Sequence, residues 1–330
     1  EYAAFSTRGS SELTINPDGS PKEMTTGLDK NYITEYSYGT LETFNVFIPR
    51  FMGGGNFEDV GQDSYIYDFL NNKVDPAQAR QFVMGAPMYW GQQPIVEAPA
   101  YIGAVMIFLF VLALFLLKGR YKLWLVSVVV FSILLSWGKN FSLLTDFFID
   151  YVPLYNKFRA VSSIQVLAEL AIPVLGILAL NKYLSDDMSN TERIKQLKKA
   201  VYVAGGVGLF FVILGPGLFA FEGLRDSAYE GMIPGLLDAI IADRKALMFD
   251  DSLRSVALVI GAGLVLWLFA KQKLSKNLTI VFICVLAVFD LVTIDTNYVS
   301  KRDFVSKRTV DIPFTATAID QQISADTTHY

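Results

Sequence analysis

The sequence predicts an all-α polytopic membrane protein. About six transmembrane helices are expected, with an N-terminal extracytoplasmic loop region and an interfacial amphipathic helix. Three observations predict this class. Of 330 residues, 52% are hydrophobic and 14% aromatic, and the mean hydropathy is +0.38. The apolar residues come in blocks long enough to cross a hydrocarbon core of roughly 30 Å. Lys and Arg concentrate in every second connector between those blocks, the pattern that sets orientation in a bilayer.

Residues 1–98 form the loop region. Asn16-Pro17-Asp18-Gly19-Ser20 and Gly53-Gly54-Gly55-Asn56 are turns by composition. Tyr65 to Leu70 suits a short helix, and Asp75-Pro76-Ala77 is a helix start with Pro in the first turn. Gly39 to Ile48 mixes β-branched and aromatic residues, as a strand or a re-entrant piece would.

Residues 99–294 hold the six spans: Ala100–Leu117, Tyr121–Trp137, Val161–Leu180, Ala200–Phe221, Leu253–Ala270 and Asn277–Ile294. Basic connectors follow the first (Lys118, Arg120, Lys122), third (Lys182, Arg193, Lys195, Lys198, Lys199) and fifth (Lys271, Lys273, Lys276). The longer connectors 138–160 and 222–252 are more acidic. The basic ends are therefore expected in the cytoplasm, with both chain ends outside. Ser189-Asn190-Thr191-Glu192 is a capping box, so the fourth span is expected to begin before the membrane and continue into it. Residues 234–248 place Leu236, Leu237, Ile240, Ile241 and Leu247 on roughly one face, which predicts a helix lying in the outer interface. Phe141–Phe148 is a shorter candidate for the same position. Residues 295–330 begin a C-terminal extracytoplasmic segment. No basic and apolar leader follows Glu1-Tyr2-Ala3, and the polar segment ending at His329-Tyr330 is unfinished. The chain is expected to be an internal fragment.

Composition excludes several chemistries. Cys284 stands alone inside an apolar run and His329 is the single histidine. Neither a disulfide framework nor a cysteine metal site fits within this chain, and a Ser-His-Asp triad is disfavoured. A net charge of −4 carries no signal for nucleic acid, and none is expected as a partner.

Lys157 and Arg159 stand where the connector 138–160 enters the third span. Arg binds phosphate bidentately, so this is a candidate site for a lipid-linked phosphate, with Lys139 on the same face; ordinary snorkelling is the alternative. Glu169 lies about nine residues into the span, roughly 13 Å at 1.5 Å per residue. An acid there is a candidate proton or substrate site, or a structural group paired with Gln165. Pro173 and Gly176 are expected to loosen the helix below it. Asp290 reads as interfacial and structural. Glu58, Asp59 and Asp63 match no metal loop, and a solvated acidic turn is the simpler reading. The glycine run 53–55 lacks phosphate-loop spacing.

Several strings taken in order resemble the YfhO family of large bacterial membrane proteins. They are Ser6-Thr-Arg-Gly-Ser-Ser-Glu-Leu-Thr14, Thr26-Gly-Leu-Asp-Lys-Asn-Tyr-Ile-Thr34, Tyr38-Gly-Thr-Leu-Glu-Thr-Phe44 with Ile48-Pro49 and Gly53-Gly54, Tyr89-Trp-Gly-Gln-Gln-Pro94, Ser136-Trp-Gly-Lys-Asn140 and Pro153-Leu-Tyr-Asn-Lys-Phe-Arg159. That family is similar to GT-C glycosyltransferases, which take a sugar from a polyprenyl-phosphate donor on the outer face of the membrane. The resemblance implies sugar transfer to a cell-envelope acceptor in the bacterial inner membrane, with a divalent metal possible in the full-length protein and the catalytic acid upstream of this chain. It implies lipid-phosphate contacts for Lys157, Arg159 and Lys139, and sugar or acceptor contacts for Tyr36, Tyr38, Tyr89 and Trp90. Two alternatives stay open: a transporter or flippase with a midplane site at Glu169, and a non-catalytic scaffold for envelope assembly.

Overall fold

A computed structural model describes residues 27–311 and 314–325. The turn expected at 16–20 and the string 6–14 lie outside these residues, as does His329. The longer helices are α1 (Tyr65–Asn71), α2 (Pro76–Val83), α3 (Ala104–Leu116), α4 (Arg120–Ser136), α5 (Ser142–Tyr151), α6 (Val166–Tyr183), α7 (Asn190–Leu218), α8 (Leu236–Ala270) and α9 (Lys276–Tyr298). No strand occurs among the described residues. Glu58 and Ala86 form an isolated antiparallel bridge.

Four segments have the length and composition of a membrane span: Val161–Tyr183, Asn190–Leu218, Leu236–Ala270 and Lys276–Tyr298. A fifth is reached if α4 counts together with α5, from which it is bent by 112°. The apolar helix α3, with 13 residues, is about 20 Å long and is shorter than these segments. The bend after α4 is built by Gly138 at φ +50°, where a Cβ would fall 2.1 Å from Ser37 Oγ. Gly39–Ile48 is not a strand: Leu41–Val46 is a 3-10 helix, with Glu42 and Asn45 buried.

The organising element is α8. The sequence suggests an interfacial helix over 234–248 and a separate span from Leu253, but the chain is one helix of 35 residues, about 52 Å long. Its first half exceeds what a bilayer needs, and protein rather than lipid covers its apolar face. Leu236, Ala239 and Ile240 pack with Ile66 and Leu70 of α1, Ala79 and Val83 of α2, and Ala86 and Met88. Its second half packs on α7 where small residues allow close approach. Ala200, Ala204 and Gly208 recur every fourth residue, and a Cβ on Gly208 would meet Val256 at 2.6 Å.

One stripe of α8 also carries polar side chains that hold the loop region. The Asp243 carboxylate accepts from the Tyr65 and Ile66 amides at 2.9 and 2.8 Å, closing the start of α1. Arg244 donates to the carbonyls of Met88, Phe221 and Pro87, and to both Asp226 oxygens at 2.6 and 2.8 Å. Asp251 receives Arg50 through Nε and Nη2, both at 2.8 Å. Ser255 donates to the Phe47 carbonyl. Arg254 pairs with Asp290 at 2.9 Å. Asp290 is fully buried and also accepts from Tyr101 and the Val105 amide, so it is a structural group that clamps α9 to α3 and α8.

The loops 27–102, 137–165 and 219–235 meet at this polar end. At the opposite, basic end, residues 115–118 face 182–196, and Arg193 stacks on Phe269. The Ser189 hydroxyl accepts from the Glu192 amide and starts α7, as the capping box requires. A first unit reaches to Leu291 and a second begins at Val292. In the second, the short helix Ala318–Ala325 is capped by Thr317, which exchanges hydrogen bonds with Asp320.

Replacing Arg244 by Met leaves Asp226 buried and unpaired. This is expected to cost about 3–5 kcal/mol, read as a large fall in the thermal midpoint of the detergent-solubilised protein. Asp226→Asn added to Arg244→Met recovers part of that loss.

Candidate functional site

The polar end contains a cavity of about 420 Å³, bounded by Tyr38, Asn45, Tyr89, the segment Gln93 to Ala100, and Ser162, Ser163, Gln165, Val166 and Glu169 at the start of α6. Small-molecule sites occupy roughly 300–1,000 Å³. Four expected residues meet here: Tyr38, Tyr89, Gln165 and Glu169.

Each wall is fixed by its own hydrogen bonds. The Tyr38 amide donates to the Ser136 carbonyl, and its carbonyl accepts from Asn140, both at 2.9 Å. Trp137 donates to Thr43, so the segment 37–45 is tied to the end of α4. Gln165 is buried and donates to Ser136 at 3.1 Å. Gly53, at φ +89°, lets the turn pass under Met88, where a Cβ would fall 1.9 Å from the carbonyl oxygen. The opposite wall is joined to that turn by Asn56, whose amide donates to the Val96 carbonyl at 2.7 Å and whose side chain accepts from the Val96 amide.

Beneath the cavity lies Glu42, fully buried. It accepts from the Tyr89 hydroxyl, the Gly39 amide at 2.6 Å and the Gln92 amide at 2.9 Å. The Tyr89 oxygen in turn accepts from the Gln93 amide at 2.9 Å, so the ring is held at both faces of its hydroxyl. Burial pushes the Tyr38 and Tyr89 phenols well above their ordinary value, and the nearby Glu42 charge raises both further. Both phenols stay protonated at neutral pH. No Lys or Arg lines the cavity, whereas Glu97 and Glu169 do. Neutral tyrosines, amides and carboxylates suit a hydroxyl-rich or cationic group and repel an anion.

Glu169 is in the first turn of α6 and lines the cavity beside residues 95–100. It is the ninth residue of the apolar segment Val161–Tyr183. The helix continues through Pro173 without a break. None of the three expected cations lines the cavity. Arg159 is exposed, stacks on Tyr32 at 5.1 Å and Tyr36 at 5.9 Å, and donates to the Tyr32 hydroxyl at 2.9 Å. Lys157 closes the one-turn helix Tyr155–Lys157, and Lys139 is in the turn after α4, its amide donating to Ser37. Trp90 is in neither group: its ring packs with Phe51, Phe219 and Phe221.

Glu42, Asn45, Gln93 and Glu97 escaped the sequence reading. Glu42 and Gln93 fall inside strings that carried the family resemblance, but nothing in their spacing marks a buried carboxylate or a cavity wall. Among the described residues no group of three or more His, Cys, Asp or Glu is arranged to hold a metal. Glu58 accepts from the Gly55 amide and Asp59 from the Gly61 amide, and Glu58 is buried rather than solvated as the sequence suggests.

Raised phenols have a stability consequence. An unfolded tyrosine ionises near pH 10, while Tyr38 and Tyr89 in the fold stay protonated. Their contribution is complete below about pH 10 and is lost as pH climbs towards the folded values. The thermal midpoint is expected to fall between pH 9 and about 11, and Tyr89→Phe to flatten that fall; equal slopes for both proteins count against it. No protein-family model, no curated protein and no solved structure matches this chain.

Proposed function

We propose that the chain is part of a bacterial inner-membrane glycosyltransferase-like protein that handles a polyprenyl-phosphate-linked sugar at its polar end, for transfer to a cell-envelope acceptor. The observation that carries this reading is the acidic, tyrosine-lined cavity beside the first turn of α6. Its tyrosine rings offer stacking faces, Gln165 and Gln93 offer amides, and Glu169 and Glu97 accept hydroxyl hydrogens, the set a sugar needs. The resemblance of the quoted strings to YfhO proteins supports the same class of reaction.

In this scheme the sugar occupies the cavity and the donor's phosphate lies at its edge against Arg159, with Lys157 and Lys139 on the same stretch of chain. Cationic contacts there offset the charge that develops on the leaving phosphate. Tyr32 and Tyr36 hold the guanidinium by stacking and the Tyr32 hydroxyl takes Nη1, which leaves Nε and Nη2 for two phosphate oxygens. Glu42 is a positioning residue that acts through Tyr89. The polar end faces outward, because the basic connectors favour the cytoplasm.

In the full-length protein, Arg159→Ala is expected to lower lipid-linked sugar transfer by roughly 10–100-fold, the weight of a charge-assisted hydrogen bond, with expression retained. Glu169→Gln is expected to raise the KM for the donor more than it lowers kcat. Proton-gradient-dependent uptake that collapses in Glu169→Gln, with no sugar incorporated, indicates a transporter instead. Unchanged transfer in both variants removes the phosphate and sugar assignments, and envelope assembly that needs the protein but involves no transfer by it indicates a scaffold.

A further inference from the structure

The cavity of about 420 Å³ beside α6 holds more hydrogen-bond acceptors than the fold supplies donors for. The carboxylates of Glu97 and Glu169 both line it, and neither makes a hydrogen bond or ion pair to another described residue. Glu169 belongs to the apolar segment Val161–Tyr183, where a charge without a counter-charge is costly and marks a functional position. Gln165, one turn earlier, is only 5% exposed. Its amide nitrogen donates to Ser136, but its amide oxygen accepts nothing from the described residues. A buried amide oxygen left open on a cavity wall calls for a donor from outside the chain. Glu42, beneath the cavity, takes only uncharged donors, from Tyr89, Gly39 and Gln92, and no Lys or Arg lines the walls. The cavity therefore lacks both N–H donors and positive charge.

We infer that the sugar taken into this cavity is an amino sugar with a free, protonated primary amine, its ammonium donating to Glu97, Glu169 and the Gln165 amide oxygen. The inference rests on the reading of the cavity as a sugar site and adds the charge of the occupant. An ammonium brings three N–H donors and a positive charge in one group, and its hydrogen bonds to carboxylates are charge-assisted, roughly twice as strong as neutral ones. A sugar bearing only hydroxyls can donate to the same oxygens but leaves the carboxylate charge unbalanced. Acetylating the amine removes the charge and leaves a single N–H. Selection is therefore set by charge at one substituent, while the hydroxyls that every sugar carries contribute alike.

Native mass spectrometry of the full-length protein in detergent tests this. The protein is equilibrated with equal amounts of polyprenyl phosphate carrying glucosamine, glucose or N-acetylglucosamine, with bare polyprenyl phosphate, and with phosphatidylethanolamine. The glucosamine donor is expected to be retained about tenfold over the other two sugars, equivalent to about 1.4 kcal/mol. With Glu97→Gln and Glu169→Gln combined, the three sugars are expected to be retained alike; a preference that survives both substitutions overturns the assignment. The native protein decides alone if that variant does not fold. Equal retention of the three sugars, above bare polyprenyl phosphate, overturns the inference and leaves the sugar reading standing. Retention of none above bare polyprenyl phosphate removes both. Phosphatidylethanolamine held as strongly as the glucosamine donor also overturns the inference, because an ammonium without a sugar then suffices.

Discussion

Arg244 is almost wholly buried, with 1% of its side chain exposed, and a guanidinium in that position is tolerable only when its donors are met. Asp226 and three backbone carbonyls meet them, and those partners come from segments far apart in sequence, 87–88 and 221–226. The cost of an unpaired buried charge thus fixes where both segments lie. Asp243, Asp251 and Ser255 repeat the arrangement along the same stripe of α8, so the loop region is hung on one helix through groups that cannot be released singly without a penalty. The apolar contacts of Leu236 and Ile240 seal the same junction.

The cavity inherits its shape from this attachment. Arg244 takes the Met88 carbonyl one residue before Tyr89, and Glu42 takes the Tyr89 hydroxyl, so the ring is gripped from both ends. Tyr89 and Gln93 also border a smaller cavity of about 210 Å³ with Arg225, Asp226 and Arg244 on its wall. One rigid partition thus separates an acidic chamber beside α6 from a chamber bearing two arginines.

Local signals in the sequence carry over into the structure wherever their causes are local. Ser189 caps α7, Asp75 with Pro76 opens α2, and Tyr65 begins α1, because each cap is satisfied within a few residues. The apolar blocks survive as helices for the same reason. What the sequence hides is long-range. The apolar face at 236–247 has the same pattern whether lipid or protein covers it, so α8 reads as two elements when it is one. Asp243, Arg244 and Asp251 look like solvated charges until partners up to 201 residues away are known. Tyr38, Tyr89, Gln165 and Glu169 are each visible as candidates, but their meeting around one cavity depends on the Trp137 and Asn140 ties to residues 38–43. Glu169 lines the cavity, whereas Lys157 and Arg159, only ten to twelve residues earlier in the sequence, do not.

The central claim is that α8 runs unbroken from the loop assembly through the apolar bundle, so that the cavity stands on a rigid mast. The most direct measurement is a pulsed electron–electron distance between spin labels at Asp238→Cys and Leu264→Cys, in a Cys284→Ser background reconstituted in lipid. A continuous helix predicts a narrow distribution near 39 Å between the backbone positions, at about 1.5 Å per residue. A helix lying in the interface and turning into a separate span near residue 250 gives about 28 Å on the same rise, and that result contradicts the account.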